Sequence, residues 1–143
     1  MSKPSYISIE TLYKVLFLIG IFFSFCFGIW HFAIPWMFKW FMYIDPQYVS
    51  LINSIRWINI LFSVFLTGIA ADLFFNRRKI DKSNHFSVSA YVLLIIIWFV
   101  RMLVTIIYPF TGSYDWIFWV MIGIFSSIFV MILIPFIRII TLK

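Results

Sequence analysis

A single arginine, Arg101, interrupts an otherwise apolar run, YVLLIIIWFVRMLVTIIY. A guanidinium keeps its charge and presents five donors in a planar fork that matches phosphate or carboxylate oxygens. Four other residues could share its chemistry: His31, Arg56, Asn59 and Asp115. His31 offers an imidazole that donates, accepts or titrates, and Asn59 an amide that does the first two. Asp115 is the nearest obvious carboxylate for Arg101. Two arginines, a histidine and two asparagines, Asn53 and Asn59, with few acids to neutralise them point to a ligand that is anionic or strongly accepting, such as a lipid phosphate, a carboxylate or a quinone carbonyl. Each residue also has a plainer reading. Arg101 and Asp115 form a structural ion pair or snorkel, and Asp115 complements the dipole of the helix it begins. Arg56 anchors the interface, His31 is a hydrogen-bonded packing residue, and Asn53 and Asn59 join helices.

What could position such residues follows from composition. Of the 143 residues, 64% are hydrophobic and 11% charged, with a mean hydropathy of +1.07. Soluble domains carry about a quarter charged residues, so lipid must solvate most of this chain. A crossing helix takes about 20 apolar residues, which leaves room for four. The expected spans are about 14–35, 46–75, 85–108 and 114–140, in one transmembrane domain covering 1–143. The sequence therefore predicts an all-α fold, an integral membrane four-helix transmembrane bundle. The apolar run from Val15 to Pro35 exceeds the ~7–15 residues of a signal-peptide core and lacks a small-x-small cleavage site, so it reads as a retained helix. Asp45-Pro46 reads as the start of the second helix, an N-cap followed by proline at the first helical position. Pro109 stops the third helix, and Pro135 bends or loosens the end of the fourth.

In the first helix Gly20, Ser24, Gly28, His31 and Pro35 recur every three or four residues and share one narrow arc. Small residues at that spacing let another helix approach closely, so Gly20, Ser24 and Gly28 read as a packing edge. His31 puts a titratable ring on the same edge. The second helix carries Asn53, Arg56, Asn59, Ser63, Thr67 and Ala70 on one arc, and the third Ser87, Ala90, Trp98, Arg101, Thr105 and Tyr108. Asp115, Trp119 and Ser126 share a face of the fourth. At about 1.5 Å per residue, Arg56, Asn59 and Arg101 fall within about two turns of the face that His31 approaches.

Charge sets the expected orientation. The net charge is +6, with Lys3, Lys14, Arg77, Arg78, Lys79, Lys82, Arg138 and Lys143 on one side and Lys39 and Arg56 toward the other. The positive-inside rule makes the first side, with both termini, cytoplasmic, in a bacterial cytoplasmic membrane. The aromatic segment WMFKWFMYI, residues 36–44, suits the opposite interface. Asp72, one turn from Arg77, reads as a local partner of the basic loop. No basic, aromatic-interleaved groove argues for nucleic acid; the expected partners are membrane lipids, a second copy or a partner membrane protein. Cys26 is the one cysteine, which excludes an internal disulfide or a CxxC pair, and it reads as a small buried residue.

Familiar catalytic signatures are missing. His31 and His85 lie at opposite faces, which argues against a bis-histidine haem. Zinc-ligand spacing, GxSxG, HExxH and a phosphate-cradling glycine loop do not occur, and no cofactor is identifiable from the residues. The segment Gly28–Pro35, GIWHFAIP, resembles the G-x-x-H-F-x-x-P edge of some DoxX-like four-helix bacterial membrane proteins. That resemblance rests on Gly28, His31, Phe32 and Pro35 and implies a four-helix bundle, with redox or quinone association at most. Small multidrug-resistance transporters have a similar length, but their first helix embeds a glutamate, whereas Glu10 precedes the span. Three function classes stay open: a non-enzymatic binding or accessory subunit with an outward-facing polar pocket, a small transporter or channel using Arg101 and His31, and a quinone-associated redox subunit.

Overall fold

The computed structural model describes residues 9–77, 85–108 and 115–141, with the side chains of His85 and Asp115 outside that description. Four α-helices account for nearly all of it: α1 (Ile9–Met37), α2 (Val49–Phe75), α3 (His85–Ile107) and α4 (Asp115–Thr141). A short 3-10 turn, η1 (Trp40–Tyr43), lies between α1 and α2. Each of the four helices is long and apolar enough to cross a membrane. Their outward faces are apolar too: Phe22 on α1 and Phe65 on α2 are each 61% exposed. Helices satisfy their own backbone groups, and lipid is the solvent in which such faces are stable. The chain is a small multi-pass membrane protein.

The helices form a ring in which α1 packs against α2 and α4, and α3 against the same two. The α1–α2 seam is the most extensive and the α2–α3 seam the sparsest. Residues from α1, α2 and α4 meet at the end where α1 begins and α4 finishes, here the terminal end. The other end carries η1 and is the far end.

Several boundaries differ from the sequence expectation. Helix α1 begins at Ile9, ahead of the expected residue 14, because Glu10 and Lys14 pair at i,i+4 with 2.6 Å between them and the acid sits in the first turn, where the helix dipole favours it. At its other end α1 runs through Pro35 to Met37. Lys39 then turns the chain with φ 51°, a left-handed conformation. Asp45-Pro46 does not start α2. The Asp45 carboxylate accepts from the backbone N–H and the side-chain amide of Gln47, at 3.0 and 2.9 Å, while its carbonyl accepts from the Tyr48 N–H. Those bonds close a turn of their own, and α2 begins after it, at Val49. Helix α4 is continuous through Pro135, which has no N–H to offer Met131. Pro109 and the loop residues 78–84 and 109–114 lie outside the described residues.

Helix α1 supplies the edge to which the others conform. A Cβ on Gly20 would stand 2.8 Å from Ile132 Cγ1 of α4, and one on Gly28 would run into Thr67 Oγ1 and stand 2.8 Å from the Thr67 nitrogen of α2. Gly28 thus lets the α1 and α2 backbones approach closely. Ser24, between the two glycines, is fully buried. It donates to the Gly20 carbonyl at 2.7 Å and accepts from Trp98 Nε1 at 2.9 Å, tying in α3. Around this axis Ile21, Leu66, Leu73, Tyr91, Leu94, Phe125 and Ile132 form the core.

Candidate functional site

The polar centre of the bundle lies toward the far end, where α1, α2 and α3 bring His31, Asn59 and Arg101 together around the ring of Phe62. His31 comes from the small-residue edge and is 4% exposed, and Asn59 faces it from α2 at 6%. The Asn59 amide donates through Nδ2 to the His31 backbone carbonyl at 2.9 Å. Its Oδ1 lies 3.0 Å from His31 Nδ1. The first bond fixes the second: a carbonyl only accepts, so the nitrogen of the amide must face it and the oxygen must face the ring. His31 Nδ1 therefore carries a proton, and in the neutral imidazole Nε2 presents a lone pair. That Nε2 is buried and has no hydrogen-bond partner among the described residues. Ser63 continues the chain of bonds, donating to the Asn59 carbonyl at 2.7 Å.

Arg101 reaches the same place from α3. Its guanidinium carbon lies 5.7 Å from the centroid of Phe62 on α2 and 5.2 Å from that of Phe125 on α4. The His31 ring packs on Phe62 at 4.7 Å between centroids. Phe62 is thus shared by the imidazole and the guanidinium. Faces of aromatic rings stabilise a desolvated cation by about 2 kcal/mol or more, which is how α3 holds a charge among apolar neighbours. Arg101 Nε, like His31 Nε2, is buried without a partner among the described residues. The described carboxylates are engaged elsewhere, Glu10 with Lys14, Asp45 with Gln47 and Asp72 with Asn76. Phe27, Trp98 and Phe125 close the axis next to this group, with ring centroids 5.4 to 5.8 Å apart.

The sequence-derived set divides here. His31, Asn59 and Arg101 assemble. Arg56 does not: it is exposed, and its guanidinium lies 4.7 Å over the ring of Phe41 in η1. The first turns of α2 project past the bundle, so Asn53 and Arg56 leave the buried arc that Asn59, Ser63 and Ala70 keep. The side chain of Asp115, the expected partner of Arg101, is outside the described residues. On α4, Trp119 is 69% exposed and points away from the core, whose face runs through Phe125, Ile128 and Ile132. Ser126 sits at the edge of that face, 3.5 Å from Met102 Sδ. Cys26 is exposed on the outside of α1, not buried. Asp72 takes the Asn76 amide at 2.8 Å in place of Arg77, whose guanidinium caps the Phe74 carbonyl at 2.8 Å.

Two partners were not legible as part of the site. Phe62 and Phe125 are ordinary members of phenylalanine-rich helices, and only the packing shows that their rings flank a cation. Among the described residues no group of three or more His, Cys, Asp or Glu could hold a metal ion. No family model, no curated protein and no solved structure matches this chain.

Proposed function

We propose that this protein is a non-enzymatic binding or accessory subunit whose polar centre holds one group of an anionic or lipid-like ligand. The observation that carries the reading is the pair of buried atoms, Arg101 Nε and His31 Nε2, that have no partner among the described residues and lie beside the shared ring of Phe62. Buried polar atoms are rarely left unpaired, because each costs roughly 1–3 kcal/mol. Arg101 Nε–H donates and His31 Nε2 accepts, so one group that accepts from the first and donates to the second would satisfy both. A hydroxyl does this, as does a singly protonated phosphate. A quinone carbonyl accepts from Arg101 and has nothing to give His31, whereas a quinol hydroxyl serves both. The resemblance of Gly28–Pro35 to DoxX-like proteins supports that member of the class.

The rings of Phe27, Trp98 and Phe125 favour retention of a ligand over passage of one, and so a binding role over a channel using Arg101 and His31. The distribution of lysine and arginine supports an orientation with both termini cytoplasmic and the polar centre toward the outer leaflet of a bacterial cell membrane. Membrane lipids, a second copy or a partner membrane protein are the partners in this reading. Native mass spectrometry of the protein extracted with its own lipids tests it. A bound small molecule is expected in the wild type and in Arg56→Gln, and lost in Arg101→Leu; identical spectra for all three would overturn the proposal.

A further inference from the structure

Away from the polar centre, at the terminal end, the start of α1, the end of α2 and the end of α4 leave a cleft of about 500 Å3. Lys14, Arg77 and Arg138 line it with one acid, Glu10. Below these charges its wall is apolar, made by Phe17, Pro135 and Ile139. The Glu10–Lys14 pair at 2.6 Å is internally neutral, so the uncompensated charge of the cleft belongs to the two arginines. Each guanidinium rests on an aromatic ring, Arg138 on Tyr13 at 5.6 Å and Arg77 on Phe74 at 4.6 Å. That stacking leaves hydrogen-bonding edges of both planar forks available. Arg77 uses one nitrogen on the Phe74 carbonyl.

Depth identifies the ligand. Glu10 is in the first turn of α1 and Arg138 in the last turn of α4, while Arg77 follows the last residue of α2. The charges therefore lie where apolar helices stop and phosphate headgroups begin, and the apolar wall continues inward from them. We infer that the cleft between Arg77 and Arg138 is a binding site for the headgroup of an anionic phospholipid, its phosphate held by the two guanidinium groups and its glycerol and first acyl carbons lying against Phe17, Pro135 and Ile139. Arginine forks match phosphate oxygens in pairs, and basic pockets between helix ends select anionic headgroups. The volume falls within the ~300–1,000 Å3 of small-molecule sites. Basic residues that only oriented the chain would not need a common concavity.

The test is native mass spectrometry of the purified protein in detergent with added phosphatidylglycerol or phosphatidylcholine. Retention of phosphatidylglycerol is expected to exceed that of phosphatidylcholine by about tenfold. It should fall to the phosphatidylcholine level in Arg77→Gln/Arg138→Gln. Lys39→Asn, which removes one charge at the far end and keeps a residue tolerant of left-handed backbone, should retain it, as should Arg101→Leu. Glu10→Gln removes the opposing acid and should tighten retention. All the cleft positions changed are exposed, so unaltered thermal unfolding serves as the check on folding. Equal retention of the two lipids, or an equal loss in Lys39→Asn, would overturn the site. Displacement of phosphatidylglycerol by millimolar glycerol 1-phosphate would overturn the lipid assignment in favour of a soluble phosphate ester; its failure to compete supports the lipid.

Discussion

Toward the far end the bundle buries an imidazole and an amide and half-buries a guanidinium, whereas toward the terminal end it buries Leu73, Tyr91 and Ile132 and keeps Arg77 and Arg138 on the rim. The difference lies in how polar groups are satisfied. In the terminal core the Tyr91 hydroxyl donates to the Ile132 carbonyl at 2.8 Å, which answers it, and half-buried Asp72 takes the Asn76 amide on one oxygen and leaves Oδ2 over. In the far half the clasp between His31 and Asn59 answers each group once and leaves Nε2 over. An answered polar group fixes helix register. An unanswered one at 4% exposure points to something that binds. Rim charges carry a different message, because water and headgroups already solvate them and their removal changes recognition more than folding.

The contrast can be broken most severely where a glycine lets two helices approach. Gly28→Ala should cost about 1–3 kcal/mol, since its Cβ meets Thr67 backbone at 2.8 Å. Gly20→Ala should cost less, because the atom it meets is a side-chain carbon of Ile132. Gly68→Ala, with nothing within 4 Å, should gain roughly 0.5–1 kcal/mol from helix propensity alone. Thermal unfolding in one detergent ranks all three, and equal effects would refute the packing account.

Next in size come the hydrogen bonds. Asn59→Leu removes both bonds of the clasp and should cost about 1–2 kcal/mol, the upper range for interhelical bonds in membranes. Tyr91→Phe should cost about 0.6 kcal/mol, near their average. Asn53→Leu, exposed before the buried arc begins, should leave stability unchanged. If Tyr91→Phe proved the costlier of the first two, the far half would not be the more polar-dependent region. Smallest in stability and largest in recognition is Arg77→Gln/Arg138→Gln, expected to shift unfolding by less than about 0.5 kcal/mol, as exposed charges do. Its readout is lipid retention.

How much of this was legible beforehand depends on the periodicity involved. The four helices follow from apolar length alone, and the α1 edge from the spacing of Gly20, Ser24, Gly28 and His31, because a helical face is a property of one segment. Arg101 stood out because a charge inside a span needs a reason. The positions lost were those set between segments. Arg56 lies on the same helical arc as Asn59, yet α2 outruns the bundle there, so one is buried and the other is exposed. Trp119 could be placed only once α4 was known to face inward through Phe125 and Ile132. The terminal cleft was hidden for the same reason: Lys14, Arg77 and Arg138 are far apart in sequence, and in a linear reading they were only orientation signals. Asp45-Pro46 misled locally, because the carboxylate met Gln47 before a helix could use it.

The convergence of His31 and Arg101 on one bound group is tested most directly by 15N NMR of histidine-labelled protein in its native lipids, with His85→Gln used to assign the His31 ring. The account predicts a protonated Nδ1 and an unprotonated Nε2 that accepts a hydrogen bond, with the Nε2 resonance moving toward that of a free lone pair in Arg101→Leu. A proton on Nε2, or an Nε2 resonance indifferent to the loss of Arg101, would contradict it.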